Sequence, residues 1–167
     1  MPSLIGSAPI FRFRDANERA ALAQWRAEWK ANRNGLVFTN GVFDLLHRGH
    51  TTYLLEARNL GEGLVIGVNA DASVKRLKGD SRPIQNEEDR AYILSSLRCC
   101  DAVVIFDEDT PFELIKHLVP DILVKGGDYK IEDIVGRDVV EQAGGVVKTI
   151  PFVEGRSTTS MVNKILS

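Results

Sequence analysis

At 167 residues, 44% of them hydrophobic and 26% charged, the chain has the make-up of one folded domain with a substantial core. A net charge of −2 supplies no global field toward nucleic acid or an anionic membrane, so neither is an expected partner, and any phosphate must be held by a local site. No apolar run approaches the roughly 20 residues that cross a bilayer, and the opening "MPSLIGSAPIFRFRD" lacks the basic stretch that begins a signal peptide.

Along the chain, "DANERAALAQWRAEWKANRNG" comes first. Asp15 is a candidate N-cap with Glu18 three residues later, close to a capping box. Leu22, Trp25 and Trp29 recur at helical spacing and Gly35 can end the segment. The tryptophans read as core-facing aromatics, and residues 1–34 read as an extension whose helix packs on the main domain, residues 35–167.

Short β-branched runs bounded by glycine follow: 35–40, 63–69, 101–106, 121–127 and 145–151. Between them lie helical candidates at 49–60, 86–97, 111–118 and 131–143, and "STTSMVNKILS" ends the chain as a capped short helix. Alternating strands and helices imply right-handed crossovers and a parallel sheet covered on both faces. The fold expected is a three-layer, Rossmann-like α/β domain with about five strands. The adjacent Cys99 and Cys100 are poorly placed to bridge each other and suit small buried thiols in a reducing cytoplasm.

Ligands of such sheets bind beyond the carboxyl ends of the strands. That rule selects the loops 39–50, 69–84, 107–110, 125–130 and 151–160. In the first, "TNGVFDLLHRGH", Gly41 permits a tight turn or close approach by a ligand. His47 and His50, two of the chain's three histidines, share one side of the following helix start. Imidazoles beside unpaired backbone N–H groups can donate to phosphate oxygens that gain charge in phosphoryl transfer. A zinc pair would need further ligands, and no cysteine or third histidine lies nearby in the sequence. A polar helix cap without function is the remaining plain reading. A Walker-type G-x-x-x-x-G-K-[ST] is absent.

The loop "NADASVKRLKGDSRP" gathers Lys75, Arg76, Lys78 and Arg82, which elsewhere would read as a solvated basic face. "VKGGDY" offers Lys125, two glycines and Asp128. "EGRSTTS" puts hydroxyls at another helix start, an N-cap alone but a second half of a phosphate clamp if it faces the first.

"GVFDLLHRGH" resembles the His-x-Gly-His signature of the class I nucleotidyltransferase superfamily, and "STTS" resembles its second signature. Together "FTNGVFDLLHRGHTTYLLEAR", "RLKGDSRP", "LVKGGDY" and "PFVEGRSTT" resemble the D-glycero-β-D-manno-heptose 1-phosphate adenylyltransferases, over about residues 35–166. The resemblance implies transfer of AMP from ATP to a sugar 1-phosphate, with Mg²⁺, giving ADP-heptose for lipopolysaccharide core or related glycan synthesis. It implies that His47, His50 and Lys78 act on the phosphates and that Thr39, Asn40, Gly41 and Phe43 line the nucleotide pocket. Base and ribose contacts would fall on Lys125, Gly126 and Asp128, and a second phosphate contact on Ser157, Thr158 and Thr159. Asp44 and Arg90 match recurrent positions whose role, substrate or structural, stays open. A cytoplasmic homodimer supplied by a separate heptose kinase and phosphatase is also implied. The alternative is a cytidylyltransferase acting on glycerol 3-phosphate or another small phosphorylated acceptor.

Overall fold

The computed structural model describes residues 6–33, 35–127, 129–151 and 158–166. Its centre is a parallel sheet of six strands: β1 (Ile10–Arg12), β2 (Leu36–Gly41), β3 (Gly63–Asn69), β4 (Ala102–Phe106), β5 (Ile122–Gly126) and β6 (Val146–Ile150), in the order β1-β4-β3-β2-β5-β6. The five expected strands are all present. The sixth, β1, lies in the N-terminal extension ahead of its helix, where no strand was expected, and it pairs Ile10 with Val103 and Arg12 with Ile105 along the sheet's edge.

The helices are α1 (Ala16–Asn32), α2 (Arg48–Arg58), α3 (Asp71–Lys78), α4 (Glu87–Ser95), α5 (Phe112–Leu118), α6 (Arg137–Gln142) and α7 (Thr158–Leu166). α3 corrects the reading of 69–84 as a loop. The helix expected over 131–143 is interrupted: a 3₁₀ turn at Ile131–Asp133 precedes α6, with Gly136 between them at φ +83°. A Cβ at Gly136 would also sit 2.7 Å from the Ile115 side chain, so both the backbone angle and the packing at this break call for glycine.

The pleat of β2 sorts its residues between two cores. Leu36 and Phe38 face a cluster with Leu22 and Trp29 of α1, Leu114 and Ile115 of α5 and Val140 of α6. Val37 faces the opposite cluster with Tyr53 and Leu54 of α2 and Ala91 and Leu94 of α4. That is the period-2 alternation of a strand buried on both faces, and it makes three layers.

α1 starts where expected. The Asp15 carboxylate accepts from the N–H groups of Asn17 and Glu18 at 2.8 and 3.0 Å. Glu18 does not close the box on Asp15; it reaches further back and accepts from the Arg12 N–H at 2.6 Å, tying the helix start to β1. Arg26 sits in the buried stripe with Leu22 and Trp29. Its Nε and Nη2 donate to the carbonyls of Leu118 and Val119 and Nη2 pairs with Asp121 at 3.2 Å, which offsets part of the cost of burying the cation. Nη1 has no hydrogen-bond partner among the described residues.

The strand order reverses at β2. The chain runs outward through β3 and β4, then returns to place β5 on the other side of β2. The crevice at that reversal is the expected ligand position. No helix among the described residues is long and apolar enough to cross a membrane.

Candidate active site

A cleft of about 920 Å³ opens at the carboxyl ends of β2 and β5. Its wall includes Asn40, Gly41, Phe43 and Asp44 after β2, His47 and His50 at the start of α2, and Lys78 at the end of α3. Lys125 and Gly126 at the end of β5 and Thr158 and Thr159 at the start of α7 complete it. The loops selected by the strand-end rule therefore converge. Asp128 and Ser157 lie outside the described residues.

The two imidazoles are stacked, with centroids 3.8 Å apart and planes 19° from parallel. His47 is the backbone N-cap of α2, and His50 lies in its first turn. Phe43 sets His50 from the other side, its ring edge-on at 5.4 Å. Phe43 occupies the left-handed region at φ +49°, a costly conformation for a residue with a large side chain. Gly41 makes room for it, since a Cβ there would lie 3.0 Å from the Phe43 ring. Burial, followed by the proximity of His47, pushes the His50 imidazole down to about 4, so it is a neutral hydrogen-bonding ring at neutral pH.

The basic cluster is divided by its partners. Arg76 pairs with Asp109 at 2.7 Å, and Arg82 pairs with the buried Asp44 at 2.9 Å. Lys78 faces the cleft and forms no salt bridge among the described residues. Its charge is close enough to help hold His50 neutral. Lys125 donates to the Asn40 side chain at 3.4 Å and lies 5.6 Å from the centre of the Tyr129 ring. Burial lowers the pKa of its ammonium.

Three residues take places that the pattern alone left open or differently read. Thr39 is fully buried behind the cleft wall, its hydroxyl bonded to Tyr53, because it shares the α2 face of β2 with Val37. Asp44 lines the cleft but its oxygens are engaged: Oδ1 accepts from the Ile84 and Gln85 N–H groups at 2.8 and 3.0 Å, and Oδ2 from Arg82. Burial alone would raise its pKa, and these donors outweigh burial and hold it below the usual carboxylate value. Arg90 is wholly buried beneath the site and donates to the carbonyls of Gln85 and Val42 and to Asp71. The cleft also includes Tyr129, Asp109, Thr110 and Val135, to which no role was given from the sequence. Tyr129 had a signal, since it ends the quoted "LVKGGDY". Asp109 and Thr110 lie in the 107–110 loop that the strand-end rule selected, whereas Val135 is a loop residue that only the fold brings to the cleft.

Chemically, the cleft combines two imidazoles, the Lys78 ammonium and two helix starts around a crevice wide enough for a nucleotide. That arrangement binds phosphate oxygens and stabilises charge developing on them. The chain matches the cytidylyltransferase-like family over residues 38–163, a span that includes every strand after the first two residues of β2. The chain belongs to the cytidylyltransferase-like family. It is 62% identical over 132 residues to the bifunctional protein HldE of Citrifermentans bemidjiense, covering 79% of this chain and 27% of that protein. The chain thus spans about a quarter of the length of that curated relative. The crystal structure of a lipopolysaccharide core biosynthesis protein from Thermoplasma volcanium superposes with a TM-score of 0.59 at 31% identity, covering 73% of this chain and 98% of that one. Pantoate-beta-alanine ligase from Francisella tularensis shares the fold at a TM-score of 0.63 and 13% identity, over 96% of this chain and 74% of that one.

Proposed function

We propose that the chain is an adenylyltransferase that joins ATP and D-glycero-β-D-manno-heptose 1-phosphate. The sugar phosphate oxygen attacks the α-phosphorus in line, the bond to the bridging oxygen breaks, and pyrophosphate leaves with that electron pair as ADP-heptose forms. The attacking phosphate is already anionic, so no strong base is required. His47, His50 and Lys78 align the phosphates and take up the charge that develops on them. The observation that carries this reading is the stacked imidazole pair and, across the same cleft at the strand-order reversal, Lys78, which forms no salt bridge among the described residues. The sugar is chosen on the four resembling segments and on the identity to the HldE protein.

Among the described residues no three His, Cys, Asp or Glu side chains converge to cage a metal. Mg²⁺ held mainly by the nucleotide's own phosphates suits such a cleft, because this ion commonly binds through substrate phosphates and few carboxylates. The reaction belongs in the cytoplasm, after a kinase and a phosphatase have produced the 1-phosphate, and a homodimer completes the reading.

The test is a mass-resolved product assay offering ATP and CTP separately with heptose 1-phosphate and with glycerol 3-phosphate. ADP-heptose and pyrophosphate in equal amounts are expected. CDP-glycerol without ADP-heptose would replace this reading with the cytidylyltransferase one.

A further inference from the structure

Both arms of the phosphate site are tied to a chain of charges that runs from the buried Arg90 out to the exposed Arg14 of the N-terminal segment. Arg14, two residues beyond β1, meets Glu87 Oε1 at 2.9 Å. The other oxygen of Glu87 accepts from the Asp71 N–H at 2.7 Å. Asp71 is the first residue of α3, and Ala70, the N-cap, has no side chain with which to cap it. Glu87 therefore performs from α4 the service that a capping side chain would, placing negative charge at the positive end of α3. Lys78 lies at the opposite end of that same helix.

The chain continues. The Asp71 carboxylate accepts from Arg90 Nη2 at 2.7 Å, and Arg90 Nη1 donates to the Val42 carbonyl at 2.7 Å. Val42 lies between Gly41 and Phe43, the residue held at positive φ with its ring against His50. Arg90 side-chain exposure is 0%, so its donors have no water to turn to if either acceptor moves.

We infer that Arg14 and Glu87 are positioning residues: they fix the start of α3 and, through Asp71 and Arg90, the Val42–Phe43 turn, so that Lys78 and His50 meet the same phosphates. The inference rests on the proposed reaction for its kinetic consequences, though not for its structural ones. A displacement of about 1 Å at such groups can cost on the order of 10²-fold in rate. Glu88 provides the control within the protein. It binds Arg12 at 2.7 Å, from the same helix to the same N-terminal segment, but on the exposed side of α4. A contact that merely fastens the N-terminus to α4 is lost equally in Glu87→Gln and Glu88→Gln.

The experiment compares Arg14→Ala, Arg14→Lys, Glu87→Gln and Glu88→Gln in the full chain. Turnover falls about tenfold in Arg14→Ala and Glu87→Gln with the KM for ATP within about twofold. Arg14→Lys recovers most of the loss, and Glu88→Gln stays near the parent. In an Arg90→Lys background the further loss from Glu87→Gln shrinks, because the chain is already broken. Equal losses in Glu87→Gln and Glu88→Gln, or losses that add fully to Arg90→Lys, overturn the inference. A second readout needs no substrate: the imidazole ¹⁵N signals of His50 shift in Glu87→Gln and not in Glu88→Gln. Unchanged His50 signals overturn the inference even if the assay finds no adenylyl transfer, whereas shifted signals without transfer leave it standing and count against the proposed reaction alone.

Discussion

His47 and His50 stack at 3.8 Å, so a proton on one ring opposes a proton on the other. Burial is the larger reason that His50 titrates at about 4 instead of 6.5, and His47 is the next. The sign of the stability effect follows. Between pH 6.5 and about 4 the unfolded chain takes up a proton at this position that the folded chain refuses, so folding stability falls as pH drops through that window. Above it the group contributes no pH dependence. Removing the neighbouring ring in His47→Asn should raise the His50 midpoint while leaving it below 6.5, since burial remains. An NMR titration of the His50 ring checks this; a midpoint that stays put would show that His47 does not act on it.

His50→Ala keeps the fold and loses about 10²–10³ in turnover, the usual cost of removing one donor to developing charge. Steady-state pyrophosphate release measures the loss, and circular dichroism checks the fold. Near-parental turnover would remove His50 from the proposed mechanism.

The five expected strands, β2 to β6, and their order of appearance were legible because each is a short apolar, β-branched run set off by glycine or aspartate, and the strand-end rule then located the cleft. What escaped has physical causes. β1 is short and lies at the edge, so "IFR" gains its order from pairing with Val103, Val104 and Ile105, contacts remote in sequence. α3 buries only Ser73 and Val74, too few apolar positions to show a helical period among its lysines and arginine. Thr39 and Asn40 were read together as pocket residues. The pleat sends Thr39 toward Tyr53, while Asn40 reaches Lys125 and the cleft. Asp44 and Arg90 could be picked out from the sequence, but their scaffold bonds to backbone groups of distant segments could not.

Asp44→Asn tests one of those bonds. The amide can still accept from the Ile84 and Gln85 N–H groups, but it leaves Arg82 without its charged partner. A loss of about 1–3 kcal/mol is expected, the range for removing one partner of a buried charged hydrogen bond. Because the folded Asp44 is held below its ordinary value, its contribution is present above the unfolded pKa and disappears as pH falls through the folded one. Urea melts at pH 7 and pH 3 should therefore separate parent and variant widely at the first pH and less at the second. A constant gap would contradict the carboxylate's role.

Docking of α1 is tested at Gly63. A Cβ there would lie 2.1 Å from the buried Trp29 ring, which cannot turn aside without opening the core around Leu22 and Leu36. Gly63→Ala is expected to cost about 1–3 kcal/mol by overpacking. Trp29→Leu should relieve part of that cost when combined with it, which a double-mutant cycle in urea would reveal.

Lys78 and Lys75 are separated by one turn of α3 and share its basic end, yet only Lys78 lines the cleft. If the lysine acts as a placed donor, Lys78→Met lowers turnover by about 10²-fold and Lys75→Met leaves it within about twofold. If the helix end acts only through its general positive field, both variants lose a similar amount. Salt decides between these causes independently, because a field across exposed surface is screened over roughly 10 Å at 0.1 M ionic strength whereas a donor in contact with phosphate is not. The Lys78 loss should therefore persist when turnover is compared at 0.05 and 0.5 M salt. A loss that fades with salt would return the lysine to the solvated basic face that its neighbours form.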